Sequence, residues 1–114
     1  MTAEQDALVE RVRRQLTAEP SVREVSMFGG RTFMVRDKLV ASAGKDGGLL
    51  VRVAAEDHAA LTGRPGATQA EMGAGRSTGP GWISVDAQTL NDEDELGFWL
   101  DTALRYNEAA AGRS

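Results

Sequence analysis

Few residues of this chain have types and spacings that could support chemistry, and its single histidine is the first of them. His58 follows Glu56 and Asp57 on a short predicted helix. A metal site or a catalytic triad needs partners that converge from other elements, and the chain has no second histidine. We therefore interpret His58 as an exposed or half-buried structural histidine.

A glycine-rich segment and an acidic run are two further candidates. The segment from Gly73 to Gly79 could present backbone amides to a phosphate. However, no Gly-Lys-Ser/Thr follows the required gap, and Pro80-Gly81 leads into a predicted strand, so we interpret it as a loop. Residues 92–95 are all acidic, but consecutive helical residues point in different directions, so we interpret them as the first turn of a helix. Cysteine is absent, which excludes thiolate metal sites and cysteine nucleophiles. The sequence predicts no catalytic, cofactor or metal site, and we expect a protein that is not an enzyme.

The charge of the chain limits its partners. Its 114 residues carry a formal net charge of −4, which argues against binding nucleic acid through the overall field. Basic residues gather between positions 23 and 52, and we interpret them as solvated strand edges. Arg31, Arg52 and Arg76 are the basic residues to follow, although each is more often a solvated charge than a binding residue. No apolar signal core and no run near the ~20 apolar residues that span a bilayer are present, so we expect a cytoplasmic protein without membrane contact.

Helical periodicity occurs at both ends of the chain and once in its middle. Thr2 and Gln5 have the spacing of a capping box, and Pro20 ends the first helix. The predicted helices are Ala3–Ala18, Ala55–Leu61 and a C-terminal helix that begins at Asn91 or Asp92. Their predicted buried stripes are Leu8, Val9, Val12 and Leu16 in the first helix, and Leu96, Trp99, Leu100, Ala103 and Leu104 in the last.

Short alternating runs separated by turn residues predict strands. The runs are 25–28, 31–36, 39–44, 49–53 and 82–85, with turns at Gly29-Gly30, Asp37-Lys38 and Gly47-Gly48. We predict that Gly66–Gly81 is an irregular loop. The sequence therefore predicts an α+β fold, with an antiparallel sheet of about five strands and helices from both termini packed on it. The predicted element order is α-β-β-β-β-α-β-α, in one domain over residues 1–114.

With these elements, the chain resembles the TfoX/Sxy N-terminal domain family from the first helix to about Ala110. The Met-Phe-Gly-Gly element before a Phe-containing strand is its most specific feature. The resemblance implies a small α+β domain and gives no catalytic residues. Long members regulate natural competence together with a cyclic-AMP receptor protein and carry a second, C-terminal helical domain; we expect a short, stand-alone member. The positions that match the family, with an implied structural or interaction role, are Met27, Phe28, Gly29, Gly30, Arg52, Gly81 and Trp82.

The resemblance and the lack of catalytic motifs favour a non-enzymatic regulatory or protein-interaction domain, with the transcription machinery as a candidate partner. A small-ligand pocket between sheet and helices is an open alternative, lined by Met27, Phe33, Met34 and Trp82. Direct DNA binding through the basic strands is a further alternative, which the net charge makes the least favoured. A homodimer through an exposed strand edge also stays open. We expect no cofactor.

Overall fold

The computed structural model describes residues 3–19, 21–27, 30–70 and 79–112, with the backbone alone at positions 27, 111 and 112. Among the helices of these residues, none combines the length and apolar character needed to cross a bilayer. The elements in chain order are α1 (Ala3–Gln15), β1 (Val22–Met27), β2 (Gly30–Val35), β3 (Lys38–Ala43), β4 (Leu49–Arg52), a 3-10 turn (Ala55–Asp57), α2 (His58–Thr62), β5 (Ala67–Gln69), β6 (Trp82–Val85), α3 (Ala87–Leu90) and α4 (Glu93–Gly112).

The strands form one open antiparallel sheet in the order β1-β2-β3-β4-β6-β5. This confirms the α+β class and the hairpin succession of the first four strands. The described sheet has six strands rather than about five, because Ala67–Gln69 pairs with β6 at the start of the segment predicted as a loop. The last predicted strand, β6, is therefore interior, and β1 and β5 are the outer strands. Whether an outer strand pairs with a second copy stays a prediction.

The core lies where α1 and α4 pack against each other and against β3. One cross-strand row, Phe33, Ala41, Val51 and Ile83, has no exposed surface. Both predicted helical stripes are confirmed: every member is buried except Leu104, which packs half-buried against the core. Burial of these side chains stabilises the fold by roughly 1.5–3 kcal/mol each, before entropy costs.

The helix α1 begins at Ala3 as predicted but ends earlier than predicted. The helix stops at Gln15 rather than Ala18, because residues 16–18 form a turn in which the Thr17 hydroxyl donates to Arg14 O at 3.0 Å. Gln5 Nε2 donates to Ala43 O at 2.9 Å, and the side chain is buried. Thr2 lies outside the described residues, so the capping box stays a prediction. The Arg13 guanidinium contacts Glu24 on β1 and holds the pKa of that carboxyl below its usual value.

The β2–β3 turn consists of Arg36 and Asp37 rather than Asp37-Lys38. The register of the hairpin shifts between Phe33 and Met34, and beyond this irregularity Val35 pairs with Lys38. Arg36 and Asp37 have φ of 54° and 63°, which is the left-handed region that a two-residue hairpin turn requires. At the next turn, the predicted positive φ is confirmed for Gly47, at 84°.

One predicted helix has different bounds in the structure, and one further helix was not predicted. The segment predicted as a helix over Ala55–Leu61 is the 3-10 turn followed by α2, which ends at Thr62. Before α4, a separate short helix, α3, was not predicted. Its N-cap is Asp86, whose carboxylate accepts a hydrogen bond from Thr89 N at 2.8 Å. Four residues show too little periodicity to predict a helix.

Candidate functional site

A cleft of about 290 Å³ opens at one end of the sheet, where β3 begins, β4 ends and β6 begins, beside the C-terminal half of α4. The described residues of its wall supply cationic, aromatic, amide and apolar side chains and no carboxylate. The lining residues are Lys38, Leu39, Arg52, Trp82, Tyr106, Asn107 and Ala110.

Arg52 is the central side chain of this cleft. The β4–β6 register places it directly opposite Trp82. Its guanidinium carbon lies over two aromatic rings, 5.0 Å from the Trp82 centroid and 4.9 Å from the Tyr106 centroid. Nη1 donates to Val53 O at 3.1 Å, and Nη2 donates to the Tyr106 hydroxyl at 3.2 Å. Two cation–π contacts and two hydrogen bonds thus fix the orientation of the guanidinium.

Gly81 makes room for that guanidinium. It has a φ of 94°, and a Cβ at this position would lie 2.0 Å from Arg52 Nη1 and 2.8 Å from Val53 O. Its carbonyl accepts from Val53 N at 2.8 Å. Its N–H donates to His58 Nδ1 at 2.8 Å, so His58 is half-buried and holds the backbone beside the cleft.

Asn107 ties α4 to the β2–β3 hairpin at the base of the cleft. Its amide nitrogen donates to Val35 O at 2.9 Å, and its amide oxygen accepts from Arg36 Nη1 at 3.0 Å. The side chain is only 2% exposed. Because both ends of the amide are engaged, Asn107 positions the wall and contributes little to binding.

The free polar groups of the cleft are donors. Lys38 is exposed and has no ion pair within the part of the chain that the structure describes, and Arg52 has no carboxylate partner there either. The Tyr106 hydroxyl accepts from Arg52, and its own proton has no acceptor among the described residues, so it can be donated to a ligand. In a chain of net charge −4, this cleft is a local cationic site that can hold an anionic group.

Three of the seven positions that match the family pattern meet at this cleft. Arg52 and Trp82 line it, and Gly81 makes room for Arg52. Gly30 lies elsewhere: a Cβ there would come within 2.7 Å of Ser42 Oγ, so the close approach of β2 and β3 requires glycine. Met27 pairs with Gly30, whereas Phe28 and Gly29 are outside the described residues.

Other candidates from the sequence lie away from the cleft. Phe33 belongs to the core. Of the three residues expected to line a ligand pocket whose side chains the structure describes, Trp82 alone is among the lining residues of this cleft. Arg31 approaches Glu24 at 3.9 Å. Arg76, with the glycine-rich segment around it, lies outside the described residues.

The acidic run at the start of α4 has structural partners. Asp92 accepts from Asp94 N at 2.9 Å. Glu93 pairs with Arg11, and Glu95 with Arg64. The pKa of Glu93 lies below its usual value because Arg11 hydrogen-bonds to it.

Sequence reasoning did not single out Tyr106, Lys38 or Leu39. Tyr106 lies seven residues after Trp99, and this spacing places it beside the buried stripe of α4. That spacing is the one local signal that could have indicated a role for the ring. Its contact with Arg52, 54 residues away in the chain, depends on tertiary packing.

Comparison with protein-family models identifies a family for this chain. The family model described as the TfoX N-terminal domain matches residues 14–106. That range contains Lys38, Arg52, Trp82 and Tyr106. No curated protein matches the chain significantly.

Proposed function

The chain belongs to the TfoX N-terminal domain family, and on that premise we propose that it is a non-enzymatic regulatory domain that binds a protein partner through the Arg52 cleft. Membership of this family supports a role as a domain like those of competence regulators. The proposal adds that the partner belongs to the transcription machinery and that the domain acts in the cytoplasm. Binding at the cleft would place this partner against the end of the sheet and the C-terminal half of α4.

The observation that carries the proposal is an oriented arginine without a carboxylate partner among the described residues. Arginine and aromatic residues are the side chains most enriched at the centres of protein interfaces. Arg52 lies in an open cleft between Trp82 and Tyr106, with its guanidinium already fixed. Because its orientation exists before binding, less entropy is lost when a partner binds.

A small ligand is the second candidate for the cleft. Ligand pockets usually enclose about 300–1,000 Å³, and a cleft of about 290 Å³ lies just below that range. DNA is disfavoured because binding through phosphates needs several of them to be neutralised, and the described lining of the cleft has two cationic side chains, Lys38 and Arg52. A thermal-shift screen of metabolites tests the small-ligand alternative. A compound that raises the Tm of the wild type and not that of Arg52→Gln would favour a small ligand.

Affinity purification of the tagged full chain from its own host tests the partner proposal. We expect the wild type to retain one protein after nuclease treatment. The amount of this protein that Arg52→Gln retains should be at least tenfold lower, because the cation at the centre of the contact is lost. Arg14→Gln is the matched control, since Arg14 is exposed on α1, does not line the cleft and changes the net charge equally. Lys38→Gln removes the exposed cation at the rim and should reduce retention without affecting folding.

The melting temperature of each variant is measured beside the purification, so that loss of binding is separated from loss of fold. Equal retention by the wild type and Arg52→Gln would exclude the cleft as the docking site. Loss of every partner with nuclease would instead indicate binding through nucleic acid.

A further inference from the structure

Resting on the function proposed above, we infer that the cleft recognises a carboxylate, supplied by an acidic segment of the partner protein.

The unused donors of Arg52 fit a carboxylate. Of the five N–H donors of an arginine side chain, two have acceptors among the described residues, which leaves three. Neither Val53 O nor the Tyr106 hydroxyl is charged, so the guanidinium keeps its full charge for a ligand. A guanidinium held in one orientation can bind the two oxygens of a carboxylate with two parallel hydrogen bonds.

Two further donors complete the site. The Lys38 ammonium is exposed at the start of β3 and has no described partner. The Tyr106 oxygen accepts from Arg52, and its hydroxyl proton has no acceptor among the described residues. Within the described wall the one side-chain carbonyl, that of Asn107, accepts from Arg36. The described side chains of the cleft thus offer donors to an incoming acceptor.

A carboxylate fits this position better than a phosphate. Phosphate sites usually use the N-terminus of a helix or a nest of backbone amides. Here the lining residues of α4, from Tyr106 to Ala110, belong to its C-terminal half, where the helix dipole is negative. A phosphate with a charge near −2 is penalised more by that dipole than a carboxylate with a charge of −1.

The size of the cleft indicates a side chain within a peptide. A volume of about 290 Å³ accommodates one or two acidic side chains, and Leu39, Ala110 and the ring edges can contact their methylene groups. In a second copy of this chain, Glu93 and Glu95 of the acidic run already pair with Arg11 and Arg64, so these two carboxylates are not free to enter the cleft.

Titration of the full ¹⁵N-labelled chain with a blocked hexaglutamate peptide tests the inference. We expect the indole N–H signal of Trp82 to shift, while that of Trp99, which is fully buried, stays in place. Arg52→Gln should weaken binding at least tenfold and Lys38→Gln about threefold, whereas Arg14→Gln should stay within twofold. A blocked hexaglutamine peptide and inorganic phosphate are the ligand controls.

Each contrary outcome has a distinct meaning. Equal binding of the glutamine peptide, tighter binding of phosphate, or no shift of Trp82 at millimolar peptide would overturn the carboxylate inference. If the carboxylate inference failed in this way but Arg52→Gln abolished retention of the partner in the purification, the docking function would stand without the carboxylate inference. If the glutamate peptide bound through Arg52 while retention of the partner was unchanged, the carboxylate site would stand and the docking function would fail.

Discussion

Replacement of Gly81 by alanine is expected to lower the free energy of unfolding by about 2–4 kcal/mol and to displace Arg52 from the cleft. A φ of 94° is strained for any residue with a Cβ. The added carbon would also lie 2.0 Å from Arg52 Nη1 and 2.8 Å from Val53 O. The arginine side chain can move away, but Val53 O belongs to the backbone and cannot move without disturbing the hydrogen bond from Val53 N to Gly81 O. Urea unfolding measures the loss.

Gly79→Ala is the matched control for that substitution. Gly79 has a similar φ, 92°, but a Cβ there would meet nothing within 4 Å among the described residues. Its substitution should therefore show only the conformational cost, about 1 kcal/mol. Losses of equal size at the two positions would show that the space beside Arg52 is not what requires glycine at position 81.

Replacement of Trp99 by alanine is expected to cost about 3–5 kcal/mol, the usual range for a large aromatic side chain removed from a core. Trp99 has no exposed surface and packs edge-to-face on Phe98, with ring centroids 5.3 Å apart. Domains of ordinary stability unfold at about 5–15 kcal/mol, so this change removes a large share of the total. Thermal and urea unfolding of the variant measure it.

Trp99→Phe separates packing from hydrogen bonding in this prediction. The buried indole nitrogen of Trp99 has no acceptor among the described residues, so loss of the N–H group should cost nothing by itself. The phenylalanine variant should therefore lose about 1–2 kcal/mol, from the smaller ring alone. A loss as large as that of the alanine variant would contradict a purely packing role for the side chain.

The sequence predicted those parts of the fold that repeat a pattern over many residues. The stripes of α1 and α4 recur at helical spacing over three or more turns, and both are buried as expected. Short elements could not be predicted in this way. β5 has three residues and α3 has four, too few for a period to show. The turn at Arg36-Asp37 lies one residue before the predicted turn. The strand irregularity beside it leaves no local signal in the sequence, so it could not be predicted.

The candidate site was predictable only in part. Arg52, Gly81 and Trp82 were identified by the family resemblance, but nothing local indicated that they meet. Their meeting depends on the β4–β6 register and on the hydrogen bond between Val53 and Gly81. Tyr106 joins them from the last helix. Lys38 and Leu39 join them from the start of β3. A site that is built by four separated segments cannot be derived from spacing along the chain.

Photo-crosslinking from the rim of the cleft tests the docking site most directly. Ala110, which lines the cleft, is replaced by p-benzoylphenylalanine in the full chain within its native host. The control places the same residue at position 101, where Asp101 is exposed. Nine residues are about two and a half turns of a helix, so position 101 lies on the side of α4 opposite position 110. We expect position 110 to crosslink the protein that the affinity purification retains, and position 101 to give no such product. No crosslink from position 110, or equal yields from both positions, would contradict the cleft as the docking site.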